Sequence, residues 1–258
     1  MSVRGRRWPR HEWIVVALAV GMVWPVWAVT GKAQELVRQA DQLQAAPDAS
    51  NESSQRALAL YQEAAGLEPN SAEIQLKLAD AALTVAAWTS GDRLRWYQLG
   101  RTAAERAVLL NQNDAEALFL LAAHRGQIAS VQKDLGGLLV PQEIERLLSR
   151  ALVLNPRHAR ALHMMGVLLE RTPAPLRVLM KGSSRDAEKY LVAAIESDPN
   201  FSEARLDLAR YYASRRQTAQ ARAQIQAVLQ MTSPTRPRAW REKHRPAAEA
   251  LLRELPTE

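Results

Sequence analysis

Ala151-Leu152-Val153-Leu154-Asn155-Pro156-Arg157 is one of four stretches of this chain that share a plan. The others are Ala64-Ala65-Gly66-Leu67-Glu68-Pro69-Asn70, Ala107-Val108-Leu109-Leu110-Asn111-Gln112-Asn113 and Ala194-Ile195-Glu196-Ser197-Asp198-Pro199-Asn200. Aligned on them, Pro69, Gln112, Pro156 and Pro199 recur at spacings of 43, 44 and 43. Such fixed self-similarity is the mark of a repeat architecture. In each stretch a helix runs up to a small residue and its apolar neighbour. Proline then stops it, because proline has no N–H and its ring clashes with the preceding turn. A new helix follows within three residues, with apolar positions three and four apart. These are Leu118, Leu121 and Ala122 in the second unit, Leu162, Met165 and Gly166 in the third, and Leu208, Ala209 and Tyr212 in the fourth. Ala79, Ala122, Gly166 and Ala209 hold the equivalent small position, where the helices of a pair must approach closely.

The remaining composition agrees with an all-helical chain. Of 258 residues, 47% are hydrophobic and 24% charged, ordinary values for a globular protein. Ala and Leu supply most of the apolar side chains, and both lose little on entering a helix. There is no cysteine, which excludes disulfides, thiolate catalysis, zinc–thiolate sites and an N-terminal lipid anchor on Cys. The formal charge is +7. Residues 1–28 hold Arg4, Arg6, Arg7 and Arg10 against Glu12, a net +3, leaving about +4 for the rest. That remainder gives solubility and lacks the dense basic stripe of a nucleic-acid binder.

The leader itself is informative. After the four arginines, Trp13–Val29 carries no charge, and Val26-Trp27-Ala28 offers small residues where a signal peptidase reads. The pattern predicts a Sec-type signal peptide over residues 1–28, cut after Ala28, with Ala33 as a second possible cut. The rival is a retained single-span anchor, since the apolar run sits at the short limit for crossing a bilayer. On both readings the rest of the chain is periplasmic. The domain plan is therefore a leader, an N-terminal helix and linker over 29–51, a repeat domain over 52–230, and a basic, proline-rich loop with a capping helix over 231–258.

The repeat pattern resembles the tetratricopeptide repeat, a helix–turn–helix unit of 34 residues. The expected fold is an all-α solenoid of such hairpins with a lengthened repeat of 43–44 residues. Tyr61 and Tyr212 fall on aromatic positions of the signature, whereas Leu148 and Leu191 replace the equivalent of Tyr61. Three units exceed the standard length, through extra residues at Trp88–Leu99, Gln127–Gln142 and Thr172–Ser184, and the last unit, Ser202–Gln230, does not. Insertions at one point of each unit are expected to project on one side of the solenoid.

Ala151 to Pro156, Asp186-Ala187-Glu188-Lys189-Tyr190-Leu191 and Asp198-Pro199-Asn200-Phe201-Ser202-Glu203-Ala204 carry a further likeness. Over about residues 52 to 255 the chain resembles two groups. One is the periplasmic tetratricopeptide component of TRAP-type transporters, often called TatT; the other is the tetratricopeptide domain of the regulator-of-microtubule-dynamics family. The first resemblance implies a scaffold that forms homo-oligomers and presents a groove to a solute-binding protein. The second implies protein tethering and lipid binding. The missing lipobox departs from the first group.

No catalytic or metal constellation emerges, and neither an enzyme nor a cofactor is expected. His11, His124, His158, His163 and His244 lack metal-ligand spacing, and Gly136-Gly137 lacks the Lys-Ser/Thr ending of a phosphate loop. The expected site is the concave groove, lined by the first helix of each pair: Glu73, Leu76 and Asp80, then Glu116 and Phe119, then Arg160, His163 and Val167, then Glu203, Leu206 and Arg210. The strip runs from acidic to cationic, which suits a partner peptide or an amphipathic ligand with an anionic end. A second candidate is the basic cluster Arg236, Arg238, Arg241, Lys243 and Arg245 around Trp240, whose ordinary reading is a solvated linker. The function expected is a periplasmic scaffold for an envelope protein, and the alternative a module that binds a lipid or other hydrophobic ligand. No nucleic acid is expected, and the membrane is touched only through a retained leader.

Overall fold

The computed structural model describes residues 26–46, 50–132, 140–173 and 186–256. The leader therefore lies outside the described residues, apart from its last three, as does most of Thr172–Ser184. Among the described residues, eleven helices of ten residues or more follow in order: α1 (Val26–Ala45), α2 (Asn51–Leu67), α3 (Ala72–Trp88), α4 (Arg93–Leu110), α5 (Ala115–Gln132), α6 (Val140–Leu154), α7 (Ala159–Arg171), α8 (Asp186–Ser197), α9 (Ser202–Ser214), α10 (Thr218–Leu229) and α11 (Arg245–Glu254). A short turn Pro237–Ala239 and a π-helical turn Trp240–His244 lead into α11. Helices adjacent in sequence pack on one another throughout, the arrangement of a solenoid in which each unit buries its neighbour's apolar face.

The four junctions are superposable in their chemistry. Each spans four residues, 68–71, 111–114, 155–158 and 198–201. In each, the first residue's N–H returns to the carbonyl of the recurring alanine, as Asn155 to Ala151 at 2.8 Å and Asp198 to Ala194 at 3.0 Å. In the last three, the same Asn or Asp side chain then accepts the N–H two residues on: Asn113 to Asn111, Arg157 to Asn155 and Asn200 to Asp198, all at 3.0–3.1 Å. These Asx turns explain the repeated Asn/Asp, since a short polar side chain satisfies the backbone that the broken helix leaves open. Ala64, Ala107, Ala151 and Ala194 are at most 1% exposed, so nothing larger fits where the next helix crosses.

The close approaches expected at the small positions are present. Ala79, Ala122 and Ala209 are fully buried. A Cβ on Gly166 would stand 2.8 Å from Leu191 Cγ and 3.1 Å from the Ala187 carbonyl. A tighter one joins α4 to α5, where a Cβ on Gly100 would lie 2.0 Å from the His124 ring. His124 is fully buried, and its Nε2–H donates to the Ala79 carbonyl at 3.0 Å. Burial pushes its pKa down to about 4, so it is a neutral core residue at physiological pH.

Two features sharpen the sequence reading. Helix α1, the N-terminal helix expected ahead of the repeats, begins at Val26, inside the expected leader, and packs on α2 as the first hairpin of the array: Ala33, Leu36 and Ala40 join the main core, and Asp41 accepts from Tyr61 Oη and Lys77 Nζ. The first insertion does not project as a loop. Only Thr89–Asp92 separates α3 from α4, and the extra residues lengthen both helices, to 17 and 18 residues. The second insertion extends α5 to Gln132 before it leaves the described residues.

Candidate functional site in the concave face

One arginine stitches the concave floor. Arg160 on α7 pairs with Asp80 on α3 at 2.6 Å and with Glu116 on α5 at 2.7 Å, so a single guanidinium ties three successive first helices. It also lies over the Phe119 ring, 4.5 Å from the centroid. His158 Nε2 meets the other Glu116 oxygen at 2.9 Å. Burial by itself would raise the Asp80 pKa, but Arg160 overrides it and holds the carboxyl below its usual range. Charged pairs of this kind carry a desolvation cost and in return fix one geometry. The strip expected to run from acidic to cationic is thus internally neutralised.

A second cluster sits one unit further along. His163 and Asp207 meet at 2.8 Å, and Arg210 reaches the other Asp207 oxygen at 2.8 Å. The His163 ring stands edge-on to Phe201. The two clusters gather Asp80, Glu116, Phe119 and Arg160 in one place and His163 with Arg210 in another. Glu73 lies exposed, Leu76 and Val167 are half-buried against the core, and Leu206 is 2% exposed. Leu206 is thereby a packing residue and unavailable to a partner.

The basic cluster is the larger surprise. Residues 235–244 leave the last hairpin and cross the concave mouth to the first lengthened one. Thr235 starts the strap at the fourth junction, with its N–H on the Asn200 carbonyl and its hydroxyl donating to Asp198. At the far end Arg238 and Lys243 both lie on the Trp88 ring, 3.9 and 3.8 Å from its centroid. Arg238 donates to Asn51 Oδ1 at 2.7 Å, and Lys243 to the Ala87 carbonyl at 2.7 Å. Trp240 Nε1–H donates to the Val228 carbonyl and anchors the middle. Arg245 pairs with Glu249 on α11, and Arg241 is exposed. A solvated linker was expected; cation–π contacts and backbone acceptors instead hold this segment in place.

Beneath the strap lies a cavity of about 510 Å³, walled by Asp80, Leu83, Trp88, Glu203, Arg236 and His244 among others. A smaller one of about 320 Å³, lined by Glu116, His158, Arg160 and Phe201, shares Thr235 and Arg236 with it. His244 Nδ1 is 2.8 Å from Ser202 Oγ, and burial lowers its pKa from the ordinary histidine value. Sequence reasoning missed Trp88, Asp207 and His244. No spacing rule links residues that meet only when the solenoid curls. No cluster of three metal-ligating side chains exists among the described residues, nor a helix long and apolar enough to cross a membrane.

Comparison with known proteins agrees with this geometry. The fold resembles a thermophilic tetratricopeptide protein of Thermus thermophilus, at 21% identity and a TM-score of 0.62, over 83% of this chain and 98% of that one. It resembles pilF of Pseudomonas aeruginosa at 16% identity and a TM-score of 0.53, over 87% and 90%. MamA of Desulfovibrio magneticus RS-1 matches at 15% identity and a TM-score of 0.50, over 80% and 94%. At such identities the likeness concerns the fold alone. No curated protein matches the chain. The tetratricopeptide repeat model matches residues 179–243, and proteins of this repeat are generally non-enzymatic scaffolds that bind protein partners. The model for regulator of microtubule dynamics protein 1-3 matches residues 36–169, more than half of the sequence. The chain is therefore an all-α tetratricopeptide-type solenoid and belongs to the regulator of microtubule dynamics protein 1-3 family.

Proposed function

We propose that the chain is an exported scaffold that holds a protein of a bacterial transport or envelope-assembly system on its concave face. The observation that carries this reading is the Arg160 bridge to Asp80 and Glu116. It locks three repeats into one preformed surface, and a preformed surface loses less entropy on binding than a flexible one. Export rests on the leader pattern of residues 1–28, and the binding role is the one general to the repeat class.

In-cell photo-crosslinking tests it. A crosslinker at Glu73 or Val167, on the concave side, should capture one envelope protein reproducibly. The same crosslinker at Leu109 or Val153, exposed on the second helices, should not. Equal capture from both sides, or none, removes the concave face from the reading. Alkaline phosphatase fused after residue 256 should be active if the chain is exported, and inactive if it stays in the cytoplasm.

A further inference from the structure

Among the described residues, two charged side chains in the strap cavity have no partner. Arg236 makes no side-chain hydrogen bond or ion pair with any described residue, although it lines both cavities. Its neighbours are already engaged: Asp80 and Glu116 with Arg160, and the remaining Glu116 oxygen with His158. Glu203, in the wall of the larger cavity, is likewise free of hydrogen bonds and ion pairs among the described residues. Arg236 is solvent-exposed and lines both cavities; the protein mass around it, reinforced by Arg160, lowers its pKa from the ordinary arginine value, while Asp80 and Glu203 pull the other way. Elsewhere around this cavity charges are spent. Arg238 is held by Glu242 and Asn51, and Lys243 by Ala87.

An unpaired cation and an unpaired anion that share a chamber, without meeting, complement a molecule carrying both charges. The chamber's remaining walls include Leu83, Ala87, Pro237 and Ala239, which are apolar. Its volume of about 510 Å³ falls in the range of small-molecule sites.

We propose that the cavity beneath the strap is a binding site for a small zwitterion with an apolar body, an apolar amino acid in chemical class. Arg236 takes the carboxylate through its planar fork, Glu203 takes the ammonium, and the alkyl or aryl side chain rests on Leu83 and Ala87. The site differs from the groove in that its cation comes from the C-terminal strap, while the repeat helices supply Glu203 and the apolar wall.

The test is calorimetric titration and thermal shift of the full-length protein with leucine and phenylalanine. Isoamylamine, which lacks the carboxylate, and 4-methyl-2-oxopentanoate, which lacks the ammonium, are the paired controls. Saturable binding of the amino acids is expected, at least about tenfold tighter than either control, since each loses one charge-assisted contact. Arg236→Ala should abolish the preference over the amine, and Glu203→Gln the preference over the oxo-acid. Arg253→Ala, a charge change at an exposed site on α11, should leave binding unaltered. Neither charge holds the fold, so both variants should melt within a degree or two of the wild type without ligand. Absence of amino-acid binding, equal binding of either control, or a collapse of the unliganded melting temperature in Arg236→Ala would overturn the proposal.

Discussion

The first lengthened hairpin and the last hairpin share the same junction chemistry and differ at their far tips. Helices α3 and α4 run for 17 and 18 residues, whereas α9 and α10 have 13 and 12. The short pair closes through Arg215–Gln217, with Arg216 at φ 59° and the Gln217 N–H returning to the Tyr212 carbonyl. The long pair uses its added turns to raise Trp88 to the rim, where Arg238 and Lys243 from the strap land on it. The junction end is thus held constant by backbone geometry. The tip varies in length between the two hairpins, and the tertiary contact that crosses the concave face grows there.

The contrast can be broken most severely at its core. Gly100→Ala should cost about 3 kcal/mol, read as a shift in denaturant midpoint. The added methyl meets the fully buried ring of His124, which has nowhere to go. Gly66→Ala, with nothing within 4 Å of the new Cβ, should be neutral or slightly stabilising. If the two changes behave alike, the tight α4–α5 seam is wrong.

Acid should attack the same seam next. His124 has a folded pKa of about 4 against 6.5 for the unassisted side chain, so between those values the unfolded state binds the extra proton. Its contribution is complete above about pH 6.5 and shrinks as pH falls through that window, by about 2 kcal/mol at pH 5. His124→Gln should flatten that limb of the pH–stability curve. Asp80 and Asp207, whose carboxyls are held below the usual range by Arg160 and by His163 respectively against the opposing effect of burial, lose their contributions only at still lower pH.

Trp88→Ala probes the strap directly. Two cation–π contacts and part of the ring's burial disappear, about 1.5 kcal/mol in all. Trypsin should then cut within Arg236–Lys243 well before it cuts the repeats, as mass spectrometry of early fragments would show. A strap equally protected in the variant would mean that the ring contributes nothing to its docking. The smallest effect belongs to the short hairpin: Arg216→Gly should stabilise by up to about 1 kcal/mol, because glycine adopts positive φ without the Cβ penalty. Loss of stability instead would show that the Arg216 side chain makes up for its strained backbone.

How much of this was readable from residues alone follows from the range of each interaction. Pro156, Asn155 and Ala151 announce a helix break, its Asx turn and a close crossing within seven positions. The recurrence of that set at 43 and 44 residues is enough for a solenoid. Asp80, Glu116 and Arg160 were placed on one face by helical period, but their mutual neutralisation depends on how far each unit rotates on the last, which no local pattern encodes. Arg238 and Asn51 stand 187 positions apart, and nothing in a proline-rich basic stretch says that it will arch over a groove.

The sequence by itself therefore determined the helical hairpins, their period, their breaks and the small residues at their crossings, because those are set by backbone hydrogen bonding and side-chain volume over a few turns. The tertiary structure alone decided that the first insertion lengthens helices instead of looping out, that α1 joins the array, and that the C-terminal segment crosses the concave face. Those outcomes depend on the superhelical curl, the sum of small rotations between units, which brings Trp88 and Arg236 into the wall of one cavity.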